Sequence, residues 1–260
     1  MRILLINPNT TAAVTERVAD VARRVAADAG ASCTFDAATG RFGAAYIASE
    51  AASAIAAHAA LDAFATHYEG HDAVLLACFG DPGLAGLQEL SPVPVVGMAD
   101  AACHQACLVG QRFAIVTGGE RWGPMLRRFV AGIGLGSRLA DVVTVAPSGG
   151  EIARDPDQAL AILEASCRFA VQNSGADVVV LAGAGLAGLA HRLDVPVPVL
   201  CSTAAAVETT LAIARLGLPK PRSGGRAPTP AVASQGLEEA LAAWLEGRST
   251  RPVIASRQQA

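Results

Sequence analysis

The chain has 260 residues, 52% hydrophobic and 17% charged, with 20 basic against 23 acidic side chains for a net charge of −3. Such a chain buries a substantial core in one large or two small domains, is too apolar for disorder, and offers no electrostatic footprint for nucleic acid. Its only lysine, Lys220, lies in Pro219-Lys220-Pro221-Arg222-Ser223-Gly224-Gly225, a loop composition that excludes a Schiff-base or P-loop lysine.

In chain order, residues 2–6 are a short apolar run stopped by Pro8, too short for a signal-peptide core. Residues 12–29 have a helical period, 33–37 form a second short run, and 44–64 are Ala-rich and predicted helical. Residues 73–77 and 93–96 read as buried strands. This alternation predicts a parallel sheet with helices on its faces.

The second half repeats the first. Residues 112–117 line up with 2–7, and 141–145 with the second strand. Asp72-Ala-Val-Leu-Leu-Ala-Cys78 pairs with Asp177-Val-Val-Val-Leu-Ala-Gly183, and Gly83-Leu-Ala-Gly-Leu87 is identical to Gly185-Leu-Ala-Gly-Leu189. Pro92-Val-Pro-Val-Val96 pairs with Pro196-Val-Pro-Val-Leu200. Matches in one order predict an internal duplication. The expected fold is α/β, with two pseudo-twofold-related lobes, each a mostly four-stranded parallel sheet with flanking helices. Residues 1–98 form lobe 1, 99–202 form lobe 2, about 203–247 return to complete lobe 1, and 248–260 are a tail. A Pro/Gly/Arg linker covers 217–230. A last helix at about 237–245 presents Leu237, Leu241, Trp244 and Leu245 on one apolar face, and 251–260 read as frayed.

The longest apolar stretch, 178–190, carries three glycines and falls short of the ~20 residues a membrane span needs. A cytoplasmic protein with a small-molecule substrate and no membrane or nucleic-acid partner is expected. The six cysteines are scattered without CxxC spacing. Cys103 and Cys107 flank His104 on a predicted helix and read as core residues sharing a face rather than metal ligands. No metal, cofactor or disulfide is expected.

In open parallel sheets ligands sit beyond the carboxyl ends of the strands. Cys78 ends a strand and precedes Phe79-Gly80-Asp81-Pro82-Gly83, predicted to turn directly into a helix. A helix start there lowers a thiol pKa. Packing as a core cysteine is the competing reading. Asn9 or Thr10 can cap the following helix, or can hold a substrate carbonyl. Thr117-Gly118-Gly119 offers the pseudo-symmetric donors. Asp81, before Pro82, reads as an Asx-turn rather than a general base. No histidine sits at a strand end, and no G-x-S-x-G elbow occurs.

Ile6-Asn7-Pro8-Asn9-Thr10-Thr11 and Ala77-Cys78-Phe79-Gly80-Asp81-Pro82-Gly83 resemble the aspartate/glutamate/hydantoin racemase superfamily, and within it the hydantoin and allantoin racemase branch. The similarity runs from Met1 to about Gly217. It implies a cofactor-independent racemase or epimerase with two cysteines facing each other across a cleft. One removes a proton beside a carbonyl and the other returns one to the opposite face. It also implies self-association into dimers or larger assemblies, which the residues alone leave open. Cys78 matches the first cysteine. The second is expected at Gly183, in Leu181-Ala182-Gly183-Ala184-Gly185, where this chain has none.

Three readings follow. A racemase can draw its second proton from elsewhere, with Cys201 at the end of the adjacent strand as candidate. A single-thiol decarboxylase of the arylmalonate type can protonate an enediolate from Cys78 alone. A non-catalytic member can bind a hydantoin-like or dicarboxylate ligand. The expected site comprises Cys78 and position 183 as the reacting pair, with Asn9, Thr10, Phe79, Gly80, Thr117, Gly118, Ala184 and Gly185 around the substrate.

Overall fold

The computed structural model describes residues 1–228 and 230–249; the tail expected at 251–260 lies outside the described residues. The first sheet contains β1 (Arg2–Asn7), β2 (Thr34–Thr39), β3 (Ala73–Leu76) and β4 (Val95–Gly97) in the order β2-β1-β3-β4. The second contains β5 (Phe113–Gly118), β6 (Leu139–Val145), β7 (Val178–Ala182) and β8 (Val199–Cys201) in the order β6-β5-β7-β8. Every pairing is parallel, and the two orders are the same. Ile6 stands beside Leu76 in the first sheet as Val116 stands beside Leu181 in the second. Cys78 and Gly183 are therefore both two residues past matched positions.

The crossovers are helical: α1 (Ala12–Asp28), α2 (Glu50–His67), α3 (Leu84–Leu90), α4 (Met98–Val109), α5 (Trp122–Gly132), α6 (Gly149–Arg154), α7 (Pro156–Ser174) and α8 (Ser202–Leu216). A last helix, α9 (Glu239–Leu245), packs on the outer face of the first sheet. There Leu241 is buried and Trp244 stacks near Phe64 and Tyr68. Lys220 reaches back from the linker to cap α3, its Nζ donating to the carbonyls of Glu89 and Ser91.

Alternation along the strands sorts the apolar side chains into three clusters. Leu4, Ile6, Val74 and Leu76 pack outward against α2 and α9. Val116, Val179 and Leu181 pack outward against α7. Ile3, Leu5 and Leu75 of one sheet share an inner core with Ile115, Val178 and Val180 of the other, and with residues of α1, α4, α5 and α8. Burying one such side chain is worth roughly 1.5–3 kcal/mol. Among the polar links between lobes, Arg17 to the Ala153 carbonyl and Arg128 to Glu50 are exposed or half-exposed and worth about 0–1 kcal/mol each. The inner core holds the lobes together.

One expected helix begins late. Residues 44–64 read as continuous helix, yet α2 starts at Glu50, after Ser49 accepts from Ala52 N at 3.2 Å as its N-cap. Residues 40–49 instead run as an ordered loop over the first strand end. Thr10 N donates to Ala44 O at 3.2 Å, and Thr11 Oγ1 to Ala45 O at 2.8 Å. Arg41 grips the buried Asp62 through two hydrogen bonds of 2.6 and 2.8 Å. Alanine's helix propensity is a weak preference, and cap plus tertiary bonds override it.

Candidate active site

A cleft of about 530 Å³, counting its open mouth, lies where the strand ends of the two sheets meet. Its first-lobe wall includes Asn9, Val14, Tyr46, Ile47, Cys78 and Phe79. Its second-lobe wall includes Thr117, Trp122, Leu126, Gly149, Gly183, Ala184, Gly185 and Leu186. Among the described residues no charged side chain lines it.

Cys78 keeps 8% of its surface exposed, whereas Cys103 and Cys167 keep none. Only the first of these three opens toward the cleft. Its thiol is not made acidic by a helix start, contrary to expectation. The next helix, α3, begins at Leu84 and follows a turn in which Asp81 N bonds Cys78 O at 3.1 Å. Burial, with the nearby Asp81 carboxyl, instead pushes the thiol well above its ordinary value.

Asp81 does not close the expected Asx-turn with its side chain. Its carboxyl spans to the next crossover and caps α4, accepting from Ala99 N at 3.0 Å and Asp100 N at 2.8 Å. It does so with φ of 47°, the sole left-handed non-glycine residue among those described. Complete burial raises its pKa to about 7 despite those N–H groups. Gly97 leaves room for it, since a Cβ there would collide with the carboxyl.

The other expected residues divide into two groups. Asn9, Phe79, Thr117, Ala184 and Gly185 line the cleft with Cys78 and Gly183. Asn9 caps nothing through its side chain in α1, whose N-cap is Thr11. Its Oδ1 instead takes hydrogen bonds from Asn7 Nδ2 and Thr11 N, each 2.9 Å. Thr117 Oγ1 donates to Ala182 O at 2.8 Å. Thr10, Gly80, Gly118 and Cys201 stand behind the wall. Thr10 ties down the 40–49 loop. Gly80, with φ of 118°, lies flat under the Trp122 indole, 2.7 Å from where its Cβ would be. Gly118 supplies a carbonyl to Tyr46. Cys201 is a correction: strand alternation turns it to the outer cluster around Leu181, where Gly188 N approaches its sulfur at 3.5 Å. The residue that turns toward Gly183 is the next one, the buried Ser202, whose Oγ accepts from Gly183 N at 3.1 Å.

Gly183 has φ of 117° and ψ of 144°, backbone that L side chains rarely adopt. A Cβ there would have ordinary neighbours, Thr117 Oγ1 at 3.6 Å and Leu186 Cδ1 at 3.8 Å. There is room for a side chain but not the backbone for one.

Sequence reading missed Tyr46, Ile47, Trp122 and the Gly149-Gly150 turn. The first two were hidden in an alanine-rich stretch read as helix. The last carried a visible signal, the Ser148-x-x-Glu151 capping box that starts α6.

A model of the family described as "Asp/Glu/Hydantoin racemase" matches residues 3–210. The chain belongs to that family. It is 36% identical over 223 residues to a hydantoin racemase of Paenarthrobacter aurescens, covering 84% of this chain and 92% of that protein. Two solved structures are each 33% identical to it. The allantoin racemase of Pseudomonas fluorescens has a TM-score of 0.83, covering 88% of this chain and 98% of that one. The allantoin racemase of Klebsiella pneumoniae has a TM-score of 0.84, covering 93% and 98%. As a member of this family the chain is an isomerase of the racemase type. Among the described residues no helix is long and apolar enough to cross a membrane.

Proposed function

We propose that this racemase acts on a neutral ring bearing an acidic C–H beside a carbonyl, a 5-substituted hydantoin with an apolar substituent, and that Cys78 is one of its acid–base groups. The observation that supports this reading best is the cleft's lining: a partly open thiol among Val14, Ile47, Phe79, Trp122, Leu126 and Leu186, with no charged side chain. A free amino acid or dicarboxylate would bring charge into that wall unpaired, at a cost of several kcal/mol. A neutral imide ring would not. The names of the relatives point the same way.

As thiolate, Cys78 removes the proton, and the electron pair moves into an enolate. Donors assigned to the developing oxygen are the backbone N–H groups of Phe79, Ala184 and Gly185, with the Asn9 side-chain amide. One such donor is typically worth about 3–4 kcal/mol of barrier. A single-thiol decarboxylase is the second reading, supported by the absence of an ionisable side chain at position 183.

The test uses one enantiomer of 5-benzylhydantoin in D₂O, with the uncatalysed rate subtracted. The racemase reading expects loss of optical signal together with deuterium at C5. An inert hydantoin, with CO₂ released from an arylmalonate, would replace it with the second reading.

A further inference from the structure

A racemase needs a proton donor on each face of the planar intermediate, and position 183 supplies none. Among the described side chains lining the cleft, two belong to types that carry an acidic proton: the Cys78 thiol and the Tyr46 phenol. Tyr46 comes from the 40–49 loop of the first lobe but is anchored on the second. Its Oη donates to Gly118 O at 3.0 Å and accepts from Gly149 N at 3.2 Å. Gly149 in turn abuts the Gly183–Gly185 turn. A Cβ on Gly185 would run into the Gly149 carbonyl. The Leu186 Cδ1 methyl stands 3.7 Å from an ideal Cβ on Gly149 and 3.8 Å from one on Gly183. The thiol is thus held by the end of β3, and the phenol by the lobe whose own strand end has no acid.

We propose that Tyr46 is the second catalytic acid–base group, taking the part for which Gly183 has no side chain; the proposal rests on the racemase reading above. In one direction the Cys78 sulfur takes the C5 proton and the C–H pair enters the enolate. The Tyr46 hydroxyl, released from the Gly118 carbonyl, then gives up its proton: the O–H bond breaks, a C–H bond forms on the opposite face, and a phenolate and a thiol remain. That form is primed for the other enantiomer, and it resets by exchanging one proton through water. The phenol oxygen has the surroundings this requires. Burial raises its pKa, while the Gly149 N–H and the Trp122 indole favour the phenolate and offset part of the rise.

The experiment compares Tyr46→Phe with the unmodified protein on each enantiomer of 5-benzylhydantoin in D₂O. Racemisation should fall by about 100-fold or more. Deuterium should still enter, within a few-fold of the normal rate and with retention, in the one enantiomer whose C–H faces Cys78. Arg128→Ala, which breaks a lobe-to-lobe ion pair on the surface, should leave both rates unchanged. Retained racemisation in Tyr46→Phe overturns the proposal. So does joint loss of exchange and racemisation, which would make the phenol a latch between lobes. An unmodified protein inert toward both enantiomers overturns the racemase reading as well.

Discussion

The turns after β3 and β7 lead from matched strands into an identical Gly-Leu-Ala-Gly-Leu, yet they are built differently. After β3, six residues from Cys78 lead to Gly83, which with φ of 82° caps a regular helix, α3. After β7, three residues from Gly183 lead to Gly185, where the identical Gly-Leu-Ala-Gly-Leu forms a 3-10 turn, Ala184–Leu186. The longer turn carries a thiol and a carboxyl that reaches over to cap α4. The shorter one has neither. Its partner helix α8 offers Ser202 to Gly183 N and keeps the Thr203 hydroxyl buried without a partner among the described residues. A three-residue difference leaves a thiol and a carboxyl after one strand and a run of glycine and alanine with no ionisable side chain after the other.

The largest effect should come from the side that holds the sulfur. Cys78→Ala is expected to lower turnover about 10²–10⁴-fold in a polarimetric assay while leaving the fold intact. Because the folded protein holds this thiol above its ordinary value, the thiolate fraction of the unmodified enzyme grows throughout the alkaline range. The rate should climb from about pH 7 to 10 without a neutral plateau. Full activity in Cys78→Ala would break the asymmetry at its root.

Gly183→Cys asks whether the second turn can carry a thiol. Cysteine at φ of 117° is strained by about 1–3 kcal/mol. The melting temperature should drop by several degrees, and racemisation should not rise. A stable, faster variant would mean that the two turns are conformational equals.

The repeated motif allows a finer comparison. Gly86 lies inside α3, where a Cβ would meet Leu61 at 3.4 Å, while its counterpart Gly188 has φ of 80°. Gly188→Ala should cost about 1–2 kcal/mol. Gly86→Ala should be neutral or stabilising by up to about 1 kcal/mol. Thermal melts of the pair check this.

The smallest signal is a slope. Asp81 in the folded protein titrates near 7, above its unfolded value of 3.8, so the native state holds the proton more tightly. Its contribution is fully present below the unfolded value and is lost as pH rises toward 7. Relative to Asp81→Asn, the unmodified protein should therefore lose melting temperature between about pH 4 and 7. Parallel curves would contradict a buried, high-pKa carboxyl beside Cys78.

Much of this was legible in the chain. Continuous apolar runs such as 73–77 and 178–182 announce strands buried on both faces, and their recurrence in order announces two sheets. Cys78, Phe79, Thr117 and Gly183 could be placed at the cleft because strand ends are where parallel sheets bind ligands. Cys201 was misplaced by one residue of register, which turns a side chain to the opposite face of the sheet.

The sequence by itself determined the order of elements and the match between the two halves, because these depend on local periodicity and residue identity. Only the tertiary structure decided that burial raises the Cys78 thiol, that Asp81 caps a distant helix, that Gly183 has glycine-only backbone, and that Tyr46 crosses to the other lobe. Those properties are set by what folding brings close through space, and the alanine-rich stretch around Tyr46 carried no local mark of it.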